Sequence, residues 1–223
     1  MKLLPLLSMM TRLSNLQRFS MERPYHPESV LEHTGFAALI AMIIAREVDV
    51  NLEEVIVKAL IHDIDEIIVG DVPRPTKYSS PTARAMFDHL AEKGVAKIAT
   101  DLRDGFPHFA SNVAAKHVAA KRDRSGLVVA IVDVLAVVHT VWSEVIVRGN
   151  NAMLRQAFTA GEQLSDLRRR VAAEFSGEDG TFLDDLIADA SELMLEAQRR
   201  ERPIFGTMRE DNIHKHPLNG SDE

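Results

Sequence analysis

The sequence predicts an all-α fold in a single domain, and three observations predict it. Apolar residues recur at helical rather than alternating spacing along nearly the whole chain. Hydrophobic residues make up 46% of the 223 positions but aromatic residues only 5%, so the core must be built from aliphatic side chains, which suits packed helices. No repeat, low-complexity linker or convincing strand interrupts the pattern.

The elements follow from local signals. A short helix is expected over Leu4 to Gln17; the opening MKLLPLLSMM is part of it, since Pro5 breaks the apolar run and no small-residue cleavage site follows. Pro24 and Pro27 end that segment. Ser29 with Glu32 forms a capping box and opens a helix running to about Glu47. Asn51 with Glu54 repeats the start signal, for a helix reaching about Glu66 or Ile68 before Gly70, Pro73 and Pro75 stop it. Ser80-Pro81 starts the next helix, ending near Gly94, and a shorter one covers Ala96 to Arg103. Gly105 and Pro107 mark a loop, and Ala110 to Arg122 is moderately helical.

Ser125 to Arg148 is so apolar that it is expected to be central and buried. Gly149 to Asn151 stops it and starts the amphipathic helix Asn151 to Phe175. After the turn Ser176 to Gly180, Thr181 to about Arg200 is the last strong helix. The domain is placed at residues 1–201, and residues 202–223, with Pro203, Gly206, Pro217 and Gly220, read as a loosely held tail. No apolar run is expected to approach membrane-spanning length, so no membrane association is expected.

Composition also limits function. The formal net charge of -7 opposes nucleic-acid binding, and no basic stripe offsets it. With no cysteine, any metal must sit on nitrogen and oxygen ligands; the same absence suits a cytoplasmic protein.

The chemistry concentrates in LIHDIDEIIVGDVPRPTKY, Leu60 to Tyr78, where one histidine and three carboxylates fall within five residues. If the helix continues through them, His62, Asp63 and Glu66 share a face, and Glu66 stands ready to handle the proton of a water held there. An adjacent His and Asp is a common pair by itself. A lone His33 on an apolar helix is often a core residue, and Asp133 inside LVVAIVDVLAVVHTVW is either hydrogen-bonded or bound to a cation. Taken together, two imidazoles and two carboxylates from separate helices read as ligands. The set His33, His62, Asp63 and Asp133 suits one divalent transition metal such as Mn, Co, Zn, Fe or Ni, and phosphoester or phosphoanhydride hydrolysis is the natural use of it. His139 and Trp142 read as packing, His214 and His216 as solvated, and Arg168 to Arg170 as an exposed helix face or subunit contact.

The order H…HD…D resembles the HD-domain metal-dependent phosphohydrolases. LQRF (Leu16 to Phe19), ESVLEHT (Glu28 to Thr34), HDIDEIIVGDVPRPTKY and RGNN (Arg148 to Asn151) bring it closer to the 5′-deoxynucleotidase branch, over roughly Leu13 to Arg170. The resemblance implies an HD-type helical bundle with additional C-terminal helices and hydrolysis of deoxynucleoside 5′-monophosphates to deoxynucleoside and phosphate. It further implies Glu66 as the acid/base carboxylate, Asp71 at the leaving oxygen and Arg18 on the phosphate. Arg74 and Lys77 either support phosphate or sugar or stand as solvated loop charges. Where the family carries Trp, this chain has Phe19, which bears on deoxyribose selectivity. Two alternatives remain: a dATPase-like deoxynucleoside triphosphate triphosphohydrolase, and a non-catalytic nucleotide-binding protein. The resemblance also implies a homodimer, with the apolar later helices as candidate interface.

Overall fold

The computed structural model describes residues 3–119 and 123–200. Among them the chain is helical, and the sole β feature is an isolated antiparallel bridge between Gln17 and Ser29. The helices are α1 (Leu3–Asn15), α2 (Val30–Ile44), α3 (Leu52–Ile61), the short α4 (Glu66–Val69) and α5 (Arg74–Lys77), α6 (Pro81–Leu102), α7 (Pro107–Ala119), α8 (Arg124–Val141), α9 (Leu154–Glu174) and α10 (Gly177–Gln198). A π-helical stretch, Trp142–Val147, continues α8, and a 3-10 turn, Asn151–Met153, precedes α9. The expected tail 202–223, with His214 and His216, lies outside the described residues, as does Arg122.

Both bonds of the Ser29–Glu32 capping box form, and Asn51 caps α3 through Glu54 N. Two expectations need correction. The helix begun at Asn51 does not run to Glu66; it ends at Ile61, and residues 62–65 form a turn. The His62 Nδ1 atom lies 2.7 Å from the Ala59 carbonyl, the acceptor of the helical bond three positions back in the ladder, and the chain tightens to three-residue bonds such as Glu66 N to Asp63 O (3.1 Å). The helices expected on either side of Gly94 are instead one, α6. A Cβ at Gly94 would stand 3.4 Å from both Asp65 O and Ile68 Cβ, in van der Waals contact, so α6 packs directly against the turn there.

The core has two parts. The larger is centred on α8, whose Leu127, Val128, Val129, Ile131, Val132 and Val141 are fully buried against α2, α3, α9 and α10. A smaller core joins α1, α6 and α7 around Ile61, Ile64, Val95, Ile98 and Val113. Residues 62–65 sit where the two meet. The Arg124–Val147 stretch corrects a further expectation: its 24 residues include an 18-residue window of mean hydropathy 2.0, long and apolar enough to cross a membrane, yet 72% of that window is buried inside the protein. Burying each Leu, Ile or Val stabilises by roughly 1.5–3 kcal/mol, which accounts for a helix apolar all round at the centre of the fold.

Candidate metal centre

Three elements bring the expected ligands together. His33 lies in the first turn of α2 and is fully buried. His62 caps the C-terminal end of α3, Asp63 follows in the turn, and Asp133 sits midway along α8. One ligand atom from each falls within 4.8 Å of all the others. The His33 Nε2 atom is 3.0 Å from Asp133 Oδ1 and 3.9 Å from Asp63 Oδ2; His62 Nε2 is 3.0 Å from Asp63 Oδ2 and 3.6 Å from Asp133 Oδ1. Ligands about 2.1 Å from a shared ion stand about 3.0 Å apart at right angles and about 3.4 Å apart in a tetrahedron, so the spacing fits a single cation.

The donor set fits as well. A carbonyl can only accept, so His62 Nδ1 carries the proton donated to Ala59 O. That leaves the Nε2 lone pair directed at Asp63 and Asp133, the tautomer and outer-shell bond characteristic of a ligating histidine. Burial, then the nearby Arg18 guanidinium, lowers the His33 pKa to about 4, so this imidazole is neutral, as a ligand must be.

Glu66 opens α4, beside the turn rather than on a shared helical face with His62 and Asp63. Burial, then the charges of Asp63 and Asp71, pushes its pKa up to about 9, and its Oε2 is buried without a hydrogen-bond partner among the described residues. Asp71 is also raised, by burial first. For Arg18, burial acts to lower the pKa, but Asp63, Asp133, Glu28 and Glu66 together raise it; its Nη1 is buried and has no hydrogen-bond partner among the described residues.

A cleft of about 460 Å³ opens over His62, Asp63, Glu66 and Asp133. Arg74 and Lys77 line it, and the Arg74 guanidinium lies 4.5 Å over the Tyr78 ring. Arg18, Phe19 and Asp71 lie outside that lining. Phe19 packs against the larger core, with the Arg18 guanidinium 5.3 Å from its ring. His139 stacks on Phe36 and Trp142 packs against the core, in line with their reading as packing residues. Of the three arginines expected on an exposed face, Arg168 pairs with Asp184 and Arg169 with Asp166, but Arg170 turns into the cleft. The sequence reading missed Arg84 and the pair His117 Nε2–Asp65 Oδ1 (2.9 Å), all lining the cleft. His117 lies 52 positions from Asp65, and no local pattern links them.

An all-α bundle with a His2Asp2 cluster drawn from an H…HD…D order defines the HD-domain class. Comparison with known proteins agrees and goes further. The model of the family described as 5′-deoxynucleotidase YfbR-like matches residues 5–178, and the chain belongs to that family. Among curated relatives, a 5′-deoxynucleotidase of Photorhabdus laumondii is 30% identical over 107 residues, which are 44% of this chain and 54% of that one. One from Vibrio vulnificus is 28% identical over 103 residues, 44% of this chain and 53% of that one. The chain thus spans about half the length of the curated relatives it matches. Among solved structures, an HD-domain phosphohydrolase from Listeria innocua superposes with a TM-score of 0.66 at 21% identity, covering 87% of this chain and 97% of its own. The cyanophage S-2L HD phosphohydrolase, bound to dA and one catalytic Zn2+ ion, superposes with a TM-score of 0.59 at 15% identity, covering 84% and 95%.

Proposed function

We propose that this protein hydrolyses deoxynucleoside 5′-monophosphates to deoxynucleoside and phosphate, using one divalent transition metal held by His33, His62, Asp63 and Asp133. The observation that carries the reading is the convergence of those four donors within 4.8 Å beside a buried arginine nitrogen with no hydrogen-bond partner among the described residues. Membership of the deoxynucleotidase family supports the substrate class. The bound ion supplies Lewis-acid polarisation and a more acidic water. Arg18 receives the phosphate through its guanidinium fork. In the metal-free site Glu66 keeps its own proton, and the positive charge of a bound cation would favour the carboxylate form that takes the proton of the attacking water; Asp71 holds a proton for the leaving 5′-oxygen, a role its raised pKa suits. Water thereby adds to phosphorus, the P–O5′ bond breaks, and the alcohol leaves neutral. Phe19 stands at the family's Trp position and bears on sugar selectivity from behind Arg18, since it packs into the core.

A second reading, triphosphate release from a deoxynucleoside triphosphate, draws support from Arg74, Lys77, Arg84 and Arg170 along the cleft. The partner is a small nucleotide in either case, and a cytoplasmic homodimer completes the proposal. The exposed apolar residues Leu39, Met42 and Ile43 favour α2 for the interface over the later helices, whose most apolar member, α8, is buried.

The test is a panel of dAMP, other deoxynucleoside and ribonucleoside monophosphates, and dATP, with Mn2+, Co2+ or Zn2+ added. Release of phosphate from deoxynucleoside monophosphates supports the main reading; release of triphosphate from dATP alone selects the second. Asp133→Ala is expected to lose both metal and turnover, and turnover unchanged in that variant removes Asp133 from the mechanism. Turnover absent throughout, with nucleotide still bound, returns the non-catalytic alternative.

A further inference from the structure

The RGNN segment takes no part in the reaction outlined above, yet the structure ties it to Arg18 through one buried carboxylate. Glu144 lies on the π-helical stretch that ends α8 and is 1% exposed. Its Oε2 accepts the Tyr25 backbone N–H at 2.7 Å and the Asn150 side-chain amide at 2.7 Å, and its Oε1 accepts the His26 N–H at 3.0 Å. The same Asn150 amide donates to the Arg23 carbonyl at 3.2 Å. Arg148, the first residue of the motif, reaches Glu144 Oε1 at 3.5 Å and also donates to Ser143 Oγ. Gly149, with φ of 71°, makes the left-handed turn that brings Asn150 back, and Asn150 N closes it onto the Glu144 carbonyl at 2.8 Å.

Three of these bonds, at the Tyr25 and His26 N–H groups and the Arg23 carbonyl, reach one loop. Residues 18–28 join α1 to α2; Arg18 N donates to Glu28 O at 2.8 Å, which fixes the loop's two ends. Inside it, Phe19 and Arg23 both have φ of 54°, a left-handed conformation that costs non-glycine residues energy and persists only where the surroundings over-determine it. Gln156 of α9 adds a further tie, donating to Glu22 Oε1 at 2.7 Å. An arginine offered to an incoming anion needs such support, because the burial that strengthens its pull also leaves no water to orient it.

We infer that Glu144 and Asn150 are positioning residues for phosphate capture: they clamp the strained 18–28 loop so that Arg18 is held near Asp63 and Asp133, its buried Nη1 left without a hydrogen-bond partner among the described residues. The inference rests on the reading of Arg18 as the phosphate-binding residue. It assigns to the RGNN segment a role in substrate affinity, exerted from the far end of α8 through hydrogen bonds to the loop backbone.

Calorimetric titration of the manganese-loaded 223-residue chain with inorganic phosphate tests it. Asn150→Ala and Glu144→Gln are each expected to weaken phosphate roughly ten- to hundredfold, as Arg18→Ala does, with bound metal unchanged. The decisive measurement is the double variant Arg18→Ala with Asn150→Ala. If Asn150 acts through Arg18, the pair is no weaker than Arg18→Ala alone; a merely structural role gives losses that add. Glu144→Gln keeps one acceptor oxygen and nearly the same shape, so it serves if Asn150→Ala fails to fold. Wild-type phosphate affinity in the folded variants, or additive losses in the double variant, overturns the inference. A wild-type chain that hydrolyses no deoxynucleotide, but binds phosphate in this Asn150-dependent way, sinks the proposed reaction and leaves the clamp standing.

Discussion

Glu66 shows how far the surroundings of one side chain reset its chemistry. A carboxyl group with an ordinary value near 4.5 is pushed up to about 9 by burial and by Asp63 and Asp71. It therefore binds its proton more tightly in the native state, and its contribution to stability is present below pH 4.5 and lost as pH rises through about 9. His33 is the mirror case: lowered from 6.5 to about 4, it contributes stability above pH 6.5 that is lost as pH falls toward 4. Thermal melts of the metal-free chain across pH are expected to fall off on both sides, with Glu66→Gln flattening the alkaline limb. In the metal-loaded chain the same substitution is expected to reduce turnover on the order of 10²- to 10⁴-fold with metal content unchanged, checked by steady-state rates beside metal analysis. A variant as fast as wild type removes Glu66 from proton transfer. His33 and Asp133 were legible in the sequence as polar residues in apolar helices, and His62 and Asp63 as part of a dense cluster of a histidine and carboxylates. Asp65 with His117, and Glu144 with Asn150, were not, because each is ordinary in its own segment and gains meaning from a partner elsewhere.

At the scale of the element, α8 and its connections set the site. Lys58 of α3 is 1% exposed, and its Nζ lies 2.6 Å from both oxygens of Asp123 and 2.7 Å from Glu54 Oε1. Asp123 also caps α8, accepting from Gly126 N at 2.7 Å. One ion pair thus locks the end of the helix that carries Asp133 to the helix that ends at His62. Asp123→Ala removes the cap and leaves a buried ammonium with Glu54 alone, and is expected to destabilise by about 3 kcal/mol. Lys58→Met, which leaves half-exposed carboxylates free to rehydrate, is expected to destabilise less. Denaturant unfolding of both variants checks the order, and the reverse order removes the locking role. Helix starts at Ser29 and Asn51 were legible because a cap is chemistry within four residues. The end of α3 at Ile61 and the continuity of α6 through Gly94 were not: the first depends on which carbonyl the His62 ring takes, the second on what packs beside the glycine.

At the scale of the whole molecule, the apolar surface that remains uncovered bears on the proposed homodimer. Leu39, Met42 and Ile43 stand exposed on α2, with Leu3, Leu4 and Leu7 exposed on α1. Since water around such a patch favours its burial, the proposed dimer is expected to form there. Leu39→Glu with Ile43→Glu is expected to convert a dimer into a monomer in sedimentation velocity; a dimer that survives the pair places the interface elsewhere.

Alone, the sequence determined the helical class and the buried course of α8, and it singled out the four candidate donors. Periodicity, capping and the placement of polar residues among apolar ones act over a few positions and can be read from order alone. Only the tertiary structure decided that the donors meet within 4.8 Å, that the chain turns at His62 to let them, and that the RGNN segment reaches across to the Arg18 loop. Those outcomes depend on contacts between residues up to 127 positions apart, whose energies arise only once the core has closed and excluded water from between them.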